Sequence, residues 1–234
     1  MYKAIVTTSW DDGHVLDLKL AELLKKYGIK GTFYVSPEDR ELQATERLQK
    51  GDVQKLAEDF EIGAHTLTHP YLPAIDAVTA RKEIVASKEV LEEWTSRPVT
   101  SFCYPKGGYL PEHEKMVRDA GFARARTVKR FALTRGDDRY AEPTSIHTYN
   151  HWSDAWSLLV FVKFNLITFF LMYRRWDLQA IALFERMLKR GGVFHLWGHS
   201  WEVENNADWQ RLENVLKYIS NREEVRYVSN DGVA

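Results

Sequence analysis

The chain reads as an α/β protein, a parallel sheet or barrel with helices on its outside. Three observations predict this. Short apolar, β-branched runs alternate with amphipathic stretches along the length of the chain, the opening runs strand, helix, strand, and no repeat, low-complexity tract or long linker breaks the rhythm.

Residues 3–8 (KAIVTT) predict a strand, residues 16–27 (LDLKLAELLKKY) a helix with leucines on one face, and residues 31–35 (GTFYV) a second strand. A helix over 53–60, a short strand at 61–64, a long helix over 76–94 and a strand at 100–104 follow. Pro111 opens a helix over 111–120, because the first helical turn does not need the N–H that proline lacks. Beyond it come strand-like pieces at 122–128 and 144–149, a helix ending near Arg190, a strand at 193–197, a helix at 209–219 and a last strand at 225–228. At 234 residues and 44% hydrophobic, the chain can bury a substantial core, and residues 1–234 read as one domain.

Composition narrows the possible partners. Lysine plus arginine (32) nearly balances aspartate plus glutamate (33), so no overall field attracts a nucleic acid, and none is expected as a partner. The single cysteine, Cys103, has no internal disulfide partner, and no secretory pattern precedes the first strand; a cytoplasmic location is expected. Residues 157–173 (SLLVFVKFNLITFFLMY) stand apart, being almost wholly apolar and followed by Arg174 and Arg175. A spanning helix needs roughly 20 apolar residues, and Lys163 mid-segment would cost on the order of 2.5–3.5 kcal/mol in a membrane. The segment reads as a buried helix plus an irregular connection; a membrane-surface or oligomer contact is the other reading.

Two motifs carry chemistry. Ser9-Trp10-Asp11-Asp12-Gly13 falls where the first strand ends, and strand C-terminal ends open into the active site of an α/β barrel. Adjacent carboxylates repel each other; a metal bound to one makes it easier to ionise the other. His65-Thr66-Leu67-Thr68-His69 follows the strand at 61–64, and two histidines four apart fit one face of a helical turn, within reach of one ion. Two imidazoles and a carboxylate leave coordination positions for water and substrate. His147 and His151 share that spacing without a carboxylate pair beside them, and read as rim or structural residues. Late in the chain, His199 ends a strand and can protonate a leaving amine, whereas His195 sits mid-strand and reads as a core residue. Glu202 can orient His199 or be a surface acid.

Together these pieces resemble the polysaccharide deacetylase family, the carbohydrate esterase family 4-like group with the NodB homology domain. Ser9 to Gly13 resembles its Thr-Phe-Asp-Asp-Gly motif, His65 to His69 its His-Ser/Thr-x-x-His motif, Phe102 to Gly107 its third motif, and Trp197-Gly198-His199 its Leu-x-His motif. The resemblance implies a distorted, incomplete (β/α) barrel and hydrolysis of an N-acetyl or N-acyl group on an amino sugar or glycan. It implies one divalent metal ion, usually zinc, on Asp12, His65 and His69, with Asp11 as base and His199 as acid. Tyr104 and Lys106 are expected at the substrate, the Lys106 N–H as an oxyanion donor. Two departures stand out. Cys103 occupies the place of an arginine that holds the catalytic aspartate, and the family's aspartate-tryptophan motif is not evident. A non-glycan amide, a lipid-linked sugar at the membrane surface, and an inactive metal-retaining carbohydrate-binding protein are the other readings.

Overall fold

The computed structural model describes residues 3–233. Its eight strands are all parallel: β1 (Ala4–Trp10), β2 (Thr32–Val35), β3 (Glu61–Ala64), β4 (Ser101–Cys103), β5 (Arg124–Arg126), β6 (Ile146–His147), β7 (Gly192–Gly198) and β8 (Val225–Tyr227). The order across the sheet is β5-β4-β3-β2-β1-β7-β6, with β8 also on β1. β1 lies at the centre because all but one of its residues are buried, the pattern of a strand covered on both faces. One edge of β1 pairs with β7 from Ala4–Gly192 to Trp10–Gly198. Its other edge is shared, β8 taking Ala4–Val6 and β2 taking Ser9–Trp10.

The sheet curls without closing. Residues 139–145 cross the gap between β5 and β6: Ala125 donates its N–H to Arg139 O (2.8 Å), Glu142 to Ala125 O (3.0 Å), and Ser145 to His195 O (3.0 Å). The result is the expected distorted, incomplete barrel.

Helices coat the outside, each burying one stripe. α1 (Asp17–Lys26) buries Leu20, Ala21 and Leu24; α2 is Lys50–Leu56; α3 (Ala77–Thr95) buries Ala80, Ile84 and Leu91; α4 is Pro111–Asp119. α2 starts three residues before its expected place because the Gln49 N–H donates to Asp52 Oδ2 (3.0 Å), capping the helix there. After α5 (Ala155–Phe161) and α6 (Leu166–Met172) come α7 (Trp176–Arg190), α8 (Ser200–Asn205) and α9 (Trp209–Ile219).

The apolar segment departs from its expected burial. α5 and α6 form a hairpin whose buried residues are Leu158 and Met172, while Trp156, Phe164, Leu166, Ile167, Phe170 and Leu171 face solvent. Lys163 and Phe164 adopt positive φ (54° and 60°), which ends one helix, and the Asn165 side chain caps the next by accepting from Thr168 N (2.9 Å). Trp176, Ala180, Leu183 and Phe184 of α7 fill the adjoining core instead. Among the described residues no helix is long and apolar enough to cross a membrane.

Candidate active site

The site is built at the C-terminal ends of the strands. β1 hands the chain to Asp11, whose N–H donates to Gly198 O (3.0 Å), and then to Asp12 and Gly13, both at positive φ (80° and 77°). Glycine is required at 13: a Cβ there would meet Val35 Cγ1 at 2.8 Å. This tight turn points Asp12 across the top of β1.

His65 and His69 come from the loop after β3. They do not share the expected helical turn, because Thr66 and His69 sit at positive φ (65° and 60°) and the chain between them is irregular. Non-glycine residues held there cost about 1–3 kcal/mol each, a strain that clusters at functional sites. The loop still brings the rings together, with centroids 4.9 Å apart. His65 Nε2 lies 3.6 Å and His69 Nε2 3.3 Å from Asp12 Oδ1. The other ring nitrogens are occupied, His65 Nδ1 at Cys103 O (2.8 Å) and His69 Nδ1 at Glu41 Oε2 (3.1 Å). Those contacts fix the tautomers, so both Nε2 lone pairs face Asp12. Burial pushes His65 down to about 4, despite the opposing charge of Asp11, which keeps its imidazole neutral at pH 7.

This donor set fits a divalent cation. Asp12 Oδ2 accepts from Trp201 Nε1 (2.8 Å), but Asp12 Oδ1 is buried with no hydrogen-bond partner among the described residues. A buried carboxylate oxygen left bare is costly unless an ion completes it. A tetrahedral ion with bonds of about 2.0–2.1 Å separates its ligand atoms by roughly 3.3 Å, close to the spacing seen here. A second cluster, Asp11, His65 and Cys103, fits less well: burial holds the Cys103 thiol well above its ordinary value, and a protonated thiol is a poor ligand.

Asp11 is buried beside the triad and bound to Arg126, whose Nη2 donates to Asp11 Oδ1. Burial alone would raise the Asp11 carboxyl. The charge of Arg126, helped by His65 and His199, outweighs it and holds the group at about 2. Arg126 is itself buried, its guanidinium lying 5.1 Å from the Tyr34 ring centre and 4.9 Å from that of Trp197. Cys103 and Arg126 are cross-strand partners in the β4–β5 register. The arginine missing at position 103 is therefore supplied by the neighbouring strand at the same level of the sheet. Sequence reasoning missed it, although an arginine closing an otherwise buried strand needs a carboxylate, and that was the available signal.

His199 follows β7, with Nε2 3.8 Å from Asp12 Oδ2 and Nδ1 2.5 Å from Glu202 Oε2. Burial would lower its pKa, but Asp12, Glu202 and Asp11 lift it to about 9, so it carries a proton at neutral pH. Glu202 is the acid beside His199; burial would raise its carboxyl, but His147 and His199 outweigh this and hold it far below the usual range. His147 Nε2 stands 2.9 Å from the same Glu202 oxygen, its ring is stacked on Trp197, and its Nδ1 meets His151 Nε2 at 2.6 Å. His195 lies deeper, 2.8 Å from Ser9 Oγ. Burial and the charge of Arg126 push it down to about 3, so it stays neutral.

Of the two expected substrate residues, Tyr104 is placed differently. Tyr104 is fully buried, its ring stacked on Tyr109 and its hydroxyl donating to Tyr140 O (3.0 Å), so its side chain shapes the wall and offers nothing to a ligand. Lys106 lies at positive φ (57°) with its ammonium 2.5 Å from Glu41, the residue that holds His69.

Residues 2–125, which carry the aspartate pair, His65, His69 and Cys103, match the family described as polysaccharide deacetylase. The chain belongs to the polysaccharide deacetylase family. Two peptidoglycan-N-acetylglucosamine deacetylases of Bacillus cereus are each 28% identical to it, over 121 and 123 residues (50% and 51% of this chain, 54% and 42% of theirs). The chain thus spans about half the length of the curated relatives it matches. Among solved structures, the Bc1960 peptidoglycan N-acetylglucosamine deacetylase shares the fold with a TM-score of 0.61 at 17% identity, covering 99% of this chain and 92% of that one. A deacetylase family pseudoenzyme of Bacillus anthracis gives 0.57 at 15% identity, covering 98% and 64%. The deacetylase fold is therefore shared by active and inactive proteins, and the chemistry of this chain has to be argued from its own side chains.

Proposed function

We propose that the chain is a metal-dependent hydrolase, with zinc as the ion, that removes the N-acetyl group from an amino sugar of a glycan. The observation that carries this reading is the bare, buried Asp12 Oδ1 with two imidazole Nε2 atoms turned towards it. A divalent ion held by Asp12, His65 and His69 would supply Lewis acidity, lowering the pKa of water from about 15.7 towards 7 and polarising the amide carbonyl.

Asp11 is kept anionic by Arg126 and can take a proton from the attacking water. The backbone N–H of Lys106 is the candidate donor to the oxyanion that forms at the carbonyl. His199, protonated at neutral pH and steadied by Glu202, can pass its proton to the amine nitrogen as the C–N bond breaks, leaving acetate and a free amino sugar. A protein that only bound sugar would need neither a buried aspartate–arginine pair nor a charged histidine facing the same ion site. The names of the curated relatives point to N-acetylglucosamine in peptidoglycan as the first substrate to try.

The expected result is acetate release from N-acetylglucosamine oligomers by the zinc-loaded protein, loss of that release after chelation, and recovery when zinc is returned. Undiminished turnover by protein verified to be metal-free would refute the metal dependence. Absence of acetate from every N-acetylated sugar offered would refute the deacetylase reading.

A further inference from the structure

The hairpin of α5 and α6 exposes a run of large apolar side chains, the kind of patch that marks an interaction site. Ile167 is 76% exposed, Phe170 72% and Trp156 68%, and Trp152, just before α5, is 82% exposed. The charge within this segment has one sign. From Ala155 to Trp176 there is no acidic residue, while Lys163 lies at the hairpin's turn and Arg174 and Arg175 at its end. The flanking acids are already engaged, Asp154 by Arg130 and Asp177 by Arg175.

We propose that this hairpin seats on an anionic lipid bilayer, its aromatic and aliphatic face entering the headgroup boundary while Lys163 and Arg174 meet the lipid phosphates. Apolar residues with tryptophan on one face and lysine and arginine at the border are what an interfacial helix needs, and helices of seven residues are too short to span. The charge pattern favours a bilayer over a second copy of the chain. A two-fold contact would set this basic border against itself, whereas an anionic membrane complements it. The hairpin is held at its base and beside its turn. Asn150 Oδ1 accepts from Trp176 N (2.9 Å), and Arg186 donates to Phe161 O (2.7 Å).

The seat also adjoins the catalytic mouth. His151, next to Trp152, touches His147, which in turn faces Glu202, the partner of His199. Docking would therefore bring the mouth to the headgroup level, where amino sugars attached to membrane lipids are within reach. That consequence rests on the proposed deacetylase activity; the docking itself does not.

Co-sedimentation with vesicles tests it. The full chain is expected to pellet with vesicles of phosphatidylcholine mixed with phosphatidylglycerol and not with phosphatidylcholine alone. Ile167→Glu combined with Phe170→Glu should reduce the bound fraction at least tenfold, and Lys163→Glu combined with Arg174→Glu should remove the preference for anionic lipid. All four positions are exposed, so the variants should keep the parent's thermal midpoint and its rate on a soluble oligomer. Failure of the parent to pellet with either vesicle overturns the proposal, as does equal pelleting by the folded Ile167→Glu/Phe170→Glu variant. A lipid-free dimer of the parent that this variant converts to monomer would assign the patch to a second copy and overturn it equally. Vesicle binding without any deacetylase activity would leave this inference standing and remove only the catalytic reading.

Discussion

Asp11→Asn is expected to keep its zinc and lose roughly 100-fold or more in turnover, the usual size of a general-base contribution. Asp11 stands outside the cluster formed by Asp12, His65 and His69, and its Oδ1 is taken by Arg126. The asparagine preserves shape and burial, so the ion site should be undisturbed. What disappears is a carboxylate able to accept a proton, and an amide cannot replace it. Acetate release and zinc content measured on the same preparation separate the two effects. Loss of zinc together with activity would move Asp11 into the ligand set, and unchanged turnover would remove it from the chemistry.

Arg126→Met should destabilise the metal-free protein by about 3–5 kcal/mol at neutral pH, the cost of leaving a buried carboxylate without its partner. Urea unfolding after chelation measures this without the added stability of bound ion. The sign of the pH dependence follows from Asp11. Its folded carboxyl lies at about 2, below the ordinary 3.8, so its contribution is present above 3.8 and is lost as pH falls through about 2. Without Arg126, burial is no longer opposed by the largest neighbouring charge, and the folded carboxyl moves upward. The deficit of the variant should be greatest near pH 7 and shrink as pH falls towards 4. An equal deficit at both values would mean that Arg126 matters only through its contacts with Tyr34 and Trp197.

Much of the fold was legible because short strand-like runs alternate with amphipathic stretches along the chain. β3 and α9 fall where the alternation puts them, and β1, α1, α3 and β7 differ by a residue or two at their ends. The apolar hairpin was not legible, since hydropathy records how apolar a segment is and not whether α7 already occupies the core beside it. The aspartate pair and the histidine pair stood out because each sits at a strand end in a compact motif. Their geometry did not: the histidine spacing fits a helical turn, yet positive φ at Thr66 and His69 makes it a loop.

Arg126 shows the other limit. It meets Asp11 in space but comes from the adjacent strand, outside the motif that carries Asp11, whereas Glu202, three residues beyond His199, was within reach of the sequence. Cys103 looked like the loss of a residue needed by Asp11, whereas the cross-strand register places a guanidinium there from β5. Tyr104 looked like a cleft residue because it sits in a motif, and its burial is decided by Tyr109 and Tyr140, which the motif does not contain.

The ion site itself is tested most directly by the metal content of the purified, zinc-equilibrated protein and of Asp12→Ala, His65→Ala and His69→Ala. The parent should hold about one equivalent, and each variant should lose most of it, because two remaining side chains are too few to retain the ion against water. Unchanged zinc content in all three folded variants would contradict the assignment of Asp12, His65 and His69.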